Sequence, residues 1–331
     1  GSLAPYNKKI HVLNPKQVNK FKLSYNDLPK NDYVDSFVIA DCLRFGRINK
    51  EVYLDDYRYV ALKNLTRARF FAVQNLTREK QRFMNQLFKK YSTMAQEKVF
   101  SDTFSTTALA VYESFESAET LANMDLHQLT EFIIEKGKNR FPDPDSVAKA
   151  IQKAARSSYR LPKTVNDSVN QVLSISISSM RAMESQIKAF DKAIAEQMAL
   201  IPNTLTSVNG IGPVYSAGII AEIGDMSRFP NQASLAKYAG LVWSQHQSGD
   251  FEAQNTRMIQ SGNRYLKYYL CEAALSLVRC DAEYRSFYHR KYKEVNKYQH
   301  KRALALTARK LVRLVFRLLK DNRLYRAPES K

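Results

Sequence analysis

The sequence predicts a mostly α-helical protein. Three observations carry that reading. Residues 55–91 contain no Gly or Pro and place Leu62, Leu65, Ala72, Leu76, Phe83 and Leu87 at three- and four-residue steps or sums of them. Residues 164–199 place Met180, Met183, Ile187, Phe190, Ile194 and Met198 close to a heptad seam. Against these, only the short run Lys8–Leu13 reads as a strand.

Taken in order, the strand candidate is stopped by Asn14-Pro15. From Asp32 the pattern turns helical, with Val34, Phe37, Val38, Cys42 and Phe45 on one face and Gly46 as a C-terminal stop. The long helix of residues 55–91 follows. Residues 94–162 read as several shorter helices punctuated by Pro142, Pro144 and Pro162. The second long helix ends before Pro202, and the two long helices can pair as an antiparallel coiled coil or share one bundle core. Six of the ten glycines then fall between Gly210 and Gly249. The rest is helical again, ending in an amphipathic helix over residues 300–321.

Among 331 residues, 51 Lys and Arg face 32 Asp and Glu, a formal net charge of +19. Residues 251–331 alone hold 19 Lys and Arg against 7 Asp and Glu. Such an excess bears on partners: nucleic acid first, an anionic membrane second, or simply a soluble basic protein. Three cysteines with no CxxC pair argue against a zinc finger or a disulfide framework and fit a reducing, cytoplasmic compartment. No run of apolar residues is long enough for a membrane span, and no signal peptide is visible.

Four constellations can carry chemistry. Val208-Asn209-Gly210-Ile211-Gly212-Pro213 resembles a helix-hairpin-helix, in which Gly210 and Gly212 let backbone N–H groups approach a DNA phosphate; the alternative is a turn between core helices. Asp32 and Asp35, three apart at a helix start, put two carboxylates on one face, suited to Mg2+ or to capping and the helix dipole. Asp41, further along, reads as a polar boundary position. Ser248, beside Gly249, can be a nucleophile or a plain turn residue. Ser244 is equally eligible on chemistry alone, and His246 could serve as a base. Arg257, Arg264 and Lys267 lie near it in sequence and could neutralise an attacked phosphate. In the last helix, Arg309, Lys310 and Arg313 recur among leucines, as a phosphate-binding face or a solvated one.

Several of these stretches together resemble one family. LTSVNGIGPVYSAGIIAEIGDMSRFPNQASLAKYAGL, QSG, SGNRYLKYYLCEAAL and RALALTARKLVRLVFRLLK are similar to the transposase domain of the insertion-sequence-110 family. HVLNPKQVNKF and KNDYVDSFVIADCLRFGRI resemble the closing part of its RuvC-like nuclease domain, an RNase H-like α/β fold. The resemblance implies that Asp32 and Asp35 are the third and fourth members of a Mg2+-binding DEDD quartet. The first two would lie upstream, which implies an N-terminally truncated chain that binds without turnover. It implies that Ser248 is the catalytic serine, that Asn263 belongs to the nucleic-acid-binding segment, and that a structured non-coding guide RNA pairs with donor and target DNA. One departure stands out: Gln260-Ser261 precede Gly262-Asn263 where the family often has a Lys.

The expected organisation is a nuclease-domain remnant over residues 1–54, a helical coiled-coil region over 55–200 and a transposase domain over 201–331. The expected function is DNA strand exchange for a prokaryotic insertion sequence by a homodimer that assembles to a tetramer on DNA, with no membrane partner. Two rivals remain at this point: a non-enzymatic helix-hairpin-helix DNA-binding protein and a plain Mg2+-dependent nuclease.

Overall fold

The structure, a computed structural model, describes residues 11, 13, 15–46, 56–97, 99–244, 247–248, 251–252 and 257–326; of 247, 248, 251 and 252 it describes the backbone only. The chain divides into two compact units, Gly1–Asp56 and Tyr57–Lys331. Among the described residues, helices dominate and no helix is long and apolar enough to cross a membrane.

The first unit holds α1 (Pro15–Lys22) and α2 (Asp32–Arg44). The strand candidate Lys8–Leu13 lies outside the described residues except for His11 and Leu13, which are irregular. Pro15 does not end an element; it opens α1, where its missing N–H costs nothing. Asn31 caps α2 by accepting the Val34 N–H at 2.8 Å, so the cap is the residue before Asp32. Phe21 packs edge-on to Tyr25 and Phe45, and Val38 and Cys42 of α2 are buried. Asp41 departs from its expected boundary position. It is only 7 % exposed, accepts from the Tyr25 hydroxyl and lies 2.6 Å from Arg44 Nε. The Tyr25 hydrogen bond, then that of Arg44, holds its carboxyl below the usual range.

The second unit is organised by α3 (Tyr57–Lys90) and α9 (Lys163–Met198), which pack against each other within the chain. They run antiparallel: Arg69 pairs with Asp191, Glu79 accepts from the Ser176 hydroxyl at 2.6 Å, and Lys80 lies 3.5 Å from Glu184. Of the apolar seam on α9, Met180, Ile194 and Met198 are buried and Met183, Ile187 and Phe190 half-buried.

One end of this pair carries α4 (Ser92–Gln96), α5 (Thr106–Ser114), α6 (Ala118–Asn123), α7 (Leu126–Gly137) and α8 (Pro144–Arg156). Each of the last four begins on a side-chain cap: Ser105, Ser117, Asp125 and Asp143. Their apolar faces close one core with Phe83, Leu87, Leu173 and Ile177 of the long helices. At the other end, α10 (Pro213–Ile223), α11 (Gln232–Tyr238), α12 (Arg264–Cys280), α13 (Ala282–Lys293) and α14 (Gln299–Asp321) form a second core. Leu62, Ile194 and Met198 join that core, so it continues across residue 200. Gly218 of α10 lies against the Tyr269 ring; an added Cβ would come within 2.3 Å of it. A two-residue antiparallel pair, β1 (Gln247–Ser248) with β2 (Phe251–Glu252), stands between α11 and α12.

Lys90 ends α3 inside the first of these cores, 2 % exposed, donating to the Tyr112 carbonyl at 2.8 Å. Burial lowers its pKa to about 8. At neutral pH both folded and unfolded states keep the proton, and the folded state bears a desolvated charge. Above about pH 8 the folded state sheds it first, so stability rises with pH until buried tyrosines such as Tyr112, whose ionisation folding suppresses, reverse the trend near pH 10. The Lys90 contribution should grow by about 2 kcal/mol between pH 8 and 10, read in urea unfolding as the difference from Lys90→Met, which removes the same background from Cys271 and the buried tyrosines. Lys90→Met should flatten that rise.

Candidate functional site

The acidic pair sits in the first turn of α2. Asp32 is exposed; Asp35 is half-exposed and held by the Lys22 ammonium at 2.7 Å. No group of three or more His, Cys, Asp or Glu that could hold a metal exists among the described residues. Two hard carboxylates on one turn still suit a divalent cation whose other ligands are water and substrate phosphates. Lys22 would have to release Asp35 for both to bind one ion.

The glycine-rich hairpin is built differently from two α-helices around a turn. Leu205–Ser207 is a single 3-10 turn, Ile211 N–H closes on the Val208 carbonyl at 2.9 Å, and α10 then starts with Pro213. Gly210 adopts φ +104°, and an added Cβ would press on Cys280 Cβ at 3.3 Å, so it is required where the hairpin meets α12. Gly212 is exposed with open space around it, which leaves the start of α10 accessible.

Ser248 lies in β1, opposite Phe251, and its side chain is outside the described residues, as is His246. The loop that carries it is closed at its base. Ser244 N–H donates to the Arg257 carbonyl at 2.9 Å, and Ile259 N–H to the Val242 carbonyl at 3.0 Å. The Ser244 hydroxyl also donates to the Arg257 carbonyl, at 2.9 Å. Beneath this, Gly240 (φ +72°) and Gly262 (φ +128°) lie backbone to backbone; a Cβ on Gly262 would sit 2.6 Å from Gly240 Cα. Asn263 N–H reaches the Tyr238 carbonyl at 2.7 Å. Two helices therefore meet where the loop departs and returns.

That junction rests on a group the sequence reading did not single out. Glu222 of α10 is 0 % exposed. Arg67 of α3 grips it with both ends of its fork, at 2.7 and 2.9 Å. Asn263 donates to it at 2.7 Å while accepting the Tyr265 and Leu266 N–H groups as the cap of α12. The partners are 155 residues apart in sequence, so no local pattern could have linked them. The Glu222 hydrogen bonds raise the Arg67 pKa further, so Arg67 stays charged.

The cations expected to bind nucleic acid separate into two kinds. Asn263 is fully engaged as cap and Glu222 partner. Arg309 donates to Gln232 at 2.5 Å, and Lys310 is paired with Glu283 at 2.6 Å. Arg264 is exposed and lies over the rings of Phe70, Phe71 and Tyr265, 4.8 Å from the last, which orients it and leaves its charge unneutralised. Arg257, Lys267 and Arg313 carry no side-chain ion pair among the described residues, and Arg257 and Arg313 are exposed.

Removing one partner of a buried ion pair strands the other. Arg67 is 39 % exposed, so water can partly replace it; Arg67→Met should cost about 2–3 kcal/mol in urea unfolding, and Arg67→Met combined with Glu222→Leu should recover much of it. Equal losses in the single and double variants would show that Glu222 is not held as described.

A model described as "Transposase IS116/IS110/IS902 family" matches residues 203–289, and the IS110 DEDD model, described as "Transposase", matches residues 2–91. Together they cover more than half of the chain. An insertion element IS116 44.8 kDa protein of Streptomyces clavuligerus is 26% identical over 98% of this chain and 79% of its own length. An insertion element IS110 43.6 kDa protein of Streptomyces coelicolor is 32% identical over 44% of this chain and 34% of its own. A probable family 20 transposase of Pseudomonas aeruginosa is 31% identical over 30% of this chain and 28% of its own. The chain belongs to the IS110/IS116 family of transposases, with DNA as its partner.

Proposed function

We propose that this transposase exchanges DNA strands through Ser248, with Asp32 and Asp35 as half of an acidic metal site and a structured RNA as guide. The observation that favours the serine is the construction of its loop: a glycine-on-glycine contact, a capped helix and a buried ion pair all bear on the segment that presents Ser248. A turn of no consequence needs no such support.

In the proposed reaction the Ser248 hydroxyl oxygen bonds to a backbone phosphorus, and the phosphorus–oxygen bond to one flanking sugar breaks. The serine proton leaves to a base or solvent, and the departing sugar oxygen takes up a proton. Attack by the sugar hydroxyl of the new strand reverses these steps and frees Ser248. Arg257 and Arg264 would bear the added negative charge of the pentavalent phosphorus. A divalent cation, Mg2+ in our reading, would supply charge neutralisation at the scissile phosphate when held by Asp32 and Asp35. The acidic site that meets Ser248 can come from a neighbouring subunit, which fits a homodimer or tetramer on DNA. A guide RNA accounts for positive charge beyond what one duplex requires.

Ser248→Ala should abolish any covalent protein–DNA adduct in a strand-exchange assay with the complete complex of protein, RNA and DNA. Asp32→Asn with Asp35→Asn should lower the metal-dependent rate by at least about a hundredfold. Full recombination by Ser248→Ala would exclude the serine; adduct formation indifferent to the acidic pair would exclude the metal role.

A further inference from the structure

Residues 92–162 hold 8 Lys and Arg against 10 Asp and Glu, so the whole positive excess lies elsewhere in the chain. Its densest expression is a groove between α13, α14 and the segment that follows them. Asn322 turns the chain back (φ +48°). The Tyr325 N–H then donates to the Ser207 hydroxyl at 2.8 Å, and its own hydroxyl reaches Asp281 at 3.5 Å. The returning segment becomes a wall. It encloses a hollow of about 940 Å³ with Tyr284, Leu314, Leu318, Leu324 and Tyr325 among its lining. Arg313, Arg317, Arg323 and Arg326 line the same hollow. A second hollow, of about 370 Å³, shares Lys310 and Arg313 with it and adds Phe287, Arg290 and Arg309.

The charges here are unbalanced by design of the lining. Glu283 is the one acid among these linings, and it is taken by Lys310. Arg313, Arg323 and Arg326 carry no side-chain ion pair among the described residues, and Arg317 has only Asp321 at 3.9 Å. Lys310 lies over the Tyr284 and Phe287 rings at 4.7 and 5.0 Å. A duplex would satisfy the guanidinium groups and leave the aromatic and aliphatic lining wet, because its bases are stacked inside. An unpaired strand satisfies both: phosphates on the arginines, a base against the rings.

We propose that this groove holds an unpaired stretch of nucleic acid, with phosphates on Arg313, Arg317 and Arg323 and a base against the half-buried Tyr325 and the exposed Leu324. The assignment uses neither Ser248 nor the acidic pair, so its failure and theirs are separable. Unpaired DNA and unpaired RNA present the same phosphate and base chemistry to it.

The test is equilibrium binding of the full chain, by fluorescence anisotropy, to oligothymidylate, oligouridylate and a DNA duplex of equal length at several salt concentrations. One or both single strands should bind more tightly than the duplex. Arg313→Ser, Arg317→Ser and Arg323→Ser together should weaken that binding at least about tenfold and flatten its salt dependence. Leu324→Asp, at an exposed position of the wall, should weaken single strands more than duplex. Photocrosslinking of unaltered protein to oligonucleotides bearing 4-thiouridine or 5-iododeoxyuridine should mark Tyr325, a readout independent of any variant's folding. A preference for RNA or for DNA would assign the strand to the guide or to opened DNA. Duplex binding as tight as single-strand binding, or crosslinks confined to other surfaces, would overturn the proposal.

Discussion

The arrangement around the reactive loop depends on one buried carboxylate. Glu222 takes the whole fork of Arg67 and one hydrogen of Asn263. Through these bonds α10, α3 and α12 are fixed to one another, and the Tyr238 hydroxyl, donating to the Glu222 carbonyl at 3.3 Å, adds the end of α11. Apolar packing alone would let these helices slide, because leucines and alanines are nearly interchangeable along a face. A bidentate pair on a fully buried carboxylate resists such a slip, since any register that parts it strands the Glu222 charge. The Tyr269 hydroxyl, bonded to the Thr66 carbonyl at 2.7 Å beside Arg67, reinforces the same junction of α12 with α3.

The same junction bears on the loop that carries Ser248. Its ends are close-packed glycines, Gly240 and Gly262, at backbone conformations that side chains rarely adopt. Both glycines are held by helices that the Glu222 junction fixes. A rigid scaffold beneath a loop is the usual way a fold presents a functional group.

Much of the helical framework was legible in the sequence. The expected helix of residues 55–91 is α3, that of 164–199 is α9 and that of 300–321 is α14, each within two residues at either end. Period and length suffice for such elements. α1 was hidden because Asn-Pro reads as a stop, whereas here Pro15 starts a helix. The hairpin at Gly210 was legible as a tight turn but not in its cause, which is the approach of Cys280 from the far end of α12. Asp41 looked like a boundary position because its partner Tyr25 precedes it by 16 residues in an irregular segment.

The site itself was legible only as a set of residue types. Lys310 and Arg313 are one turn apart on α14 and indistinguishable by pattern, yet the first faces Glu283 and the second faces no acid among the described residues. What decides whether a cation can hold a phosphate is the presence of a competing carboxylate within a few ångströms, and that is a tertiary fact. The same logic separates Asp32 from Asp35: equal in spacing, they differ in that Lys22 already neutralises one of them. A phosphate approaching this turn therefore offers Lys22 a second anion to pair with. In the proposed reaction, that pairing would free Asp35 for a cation.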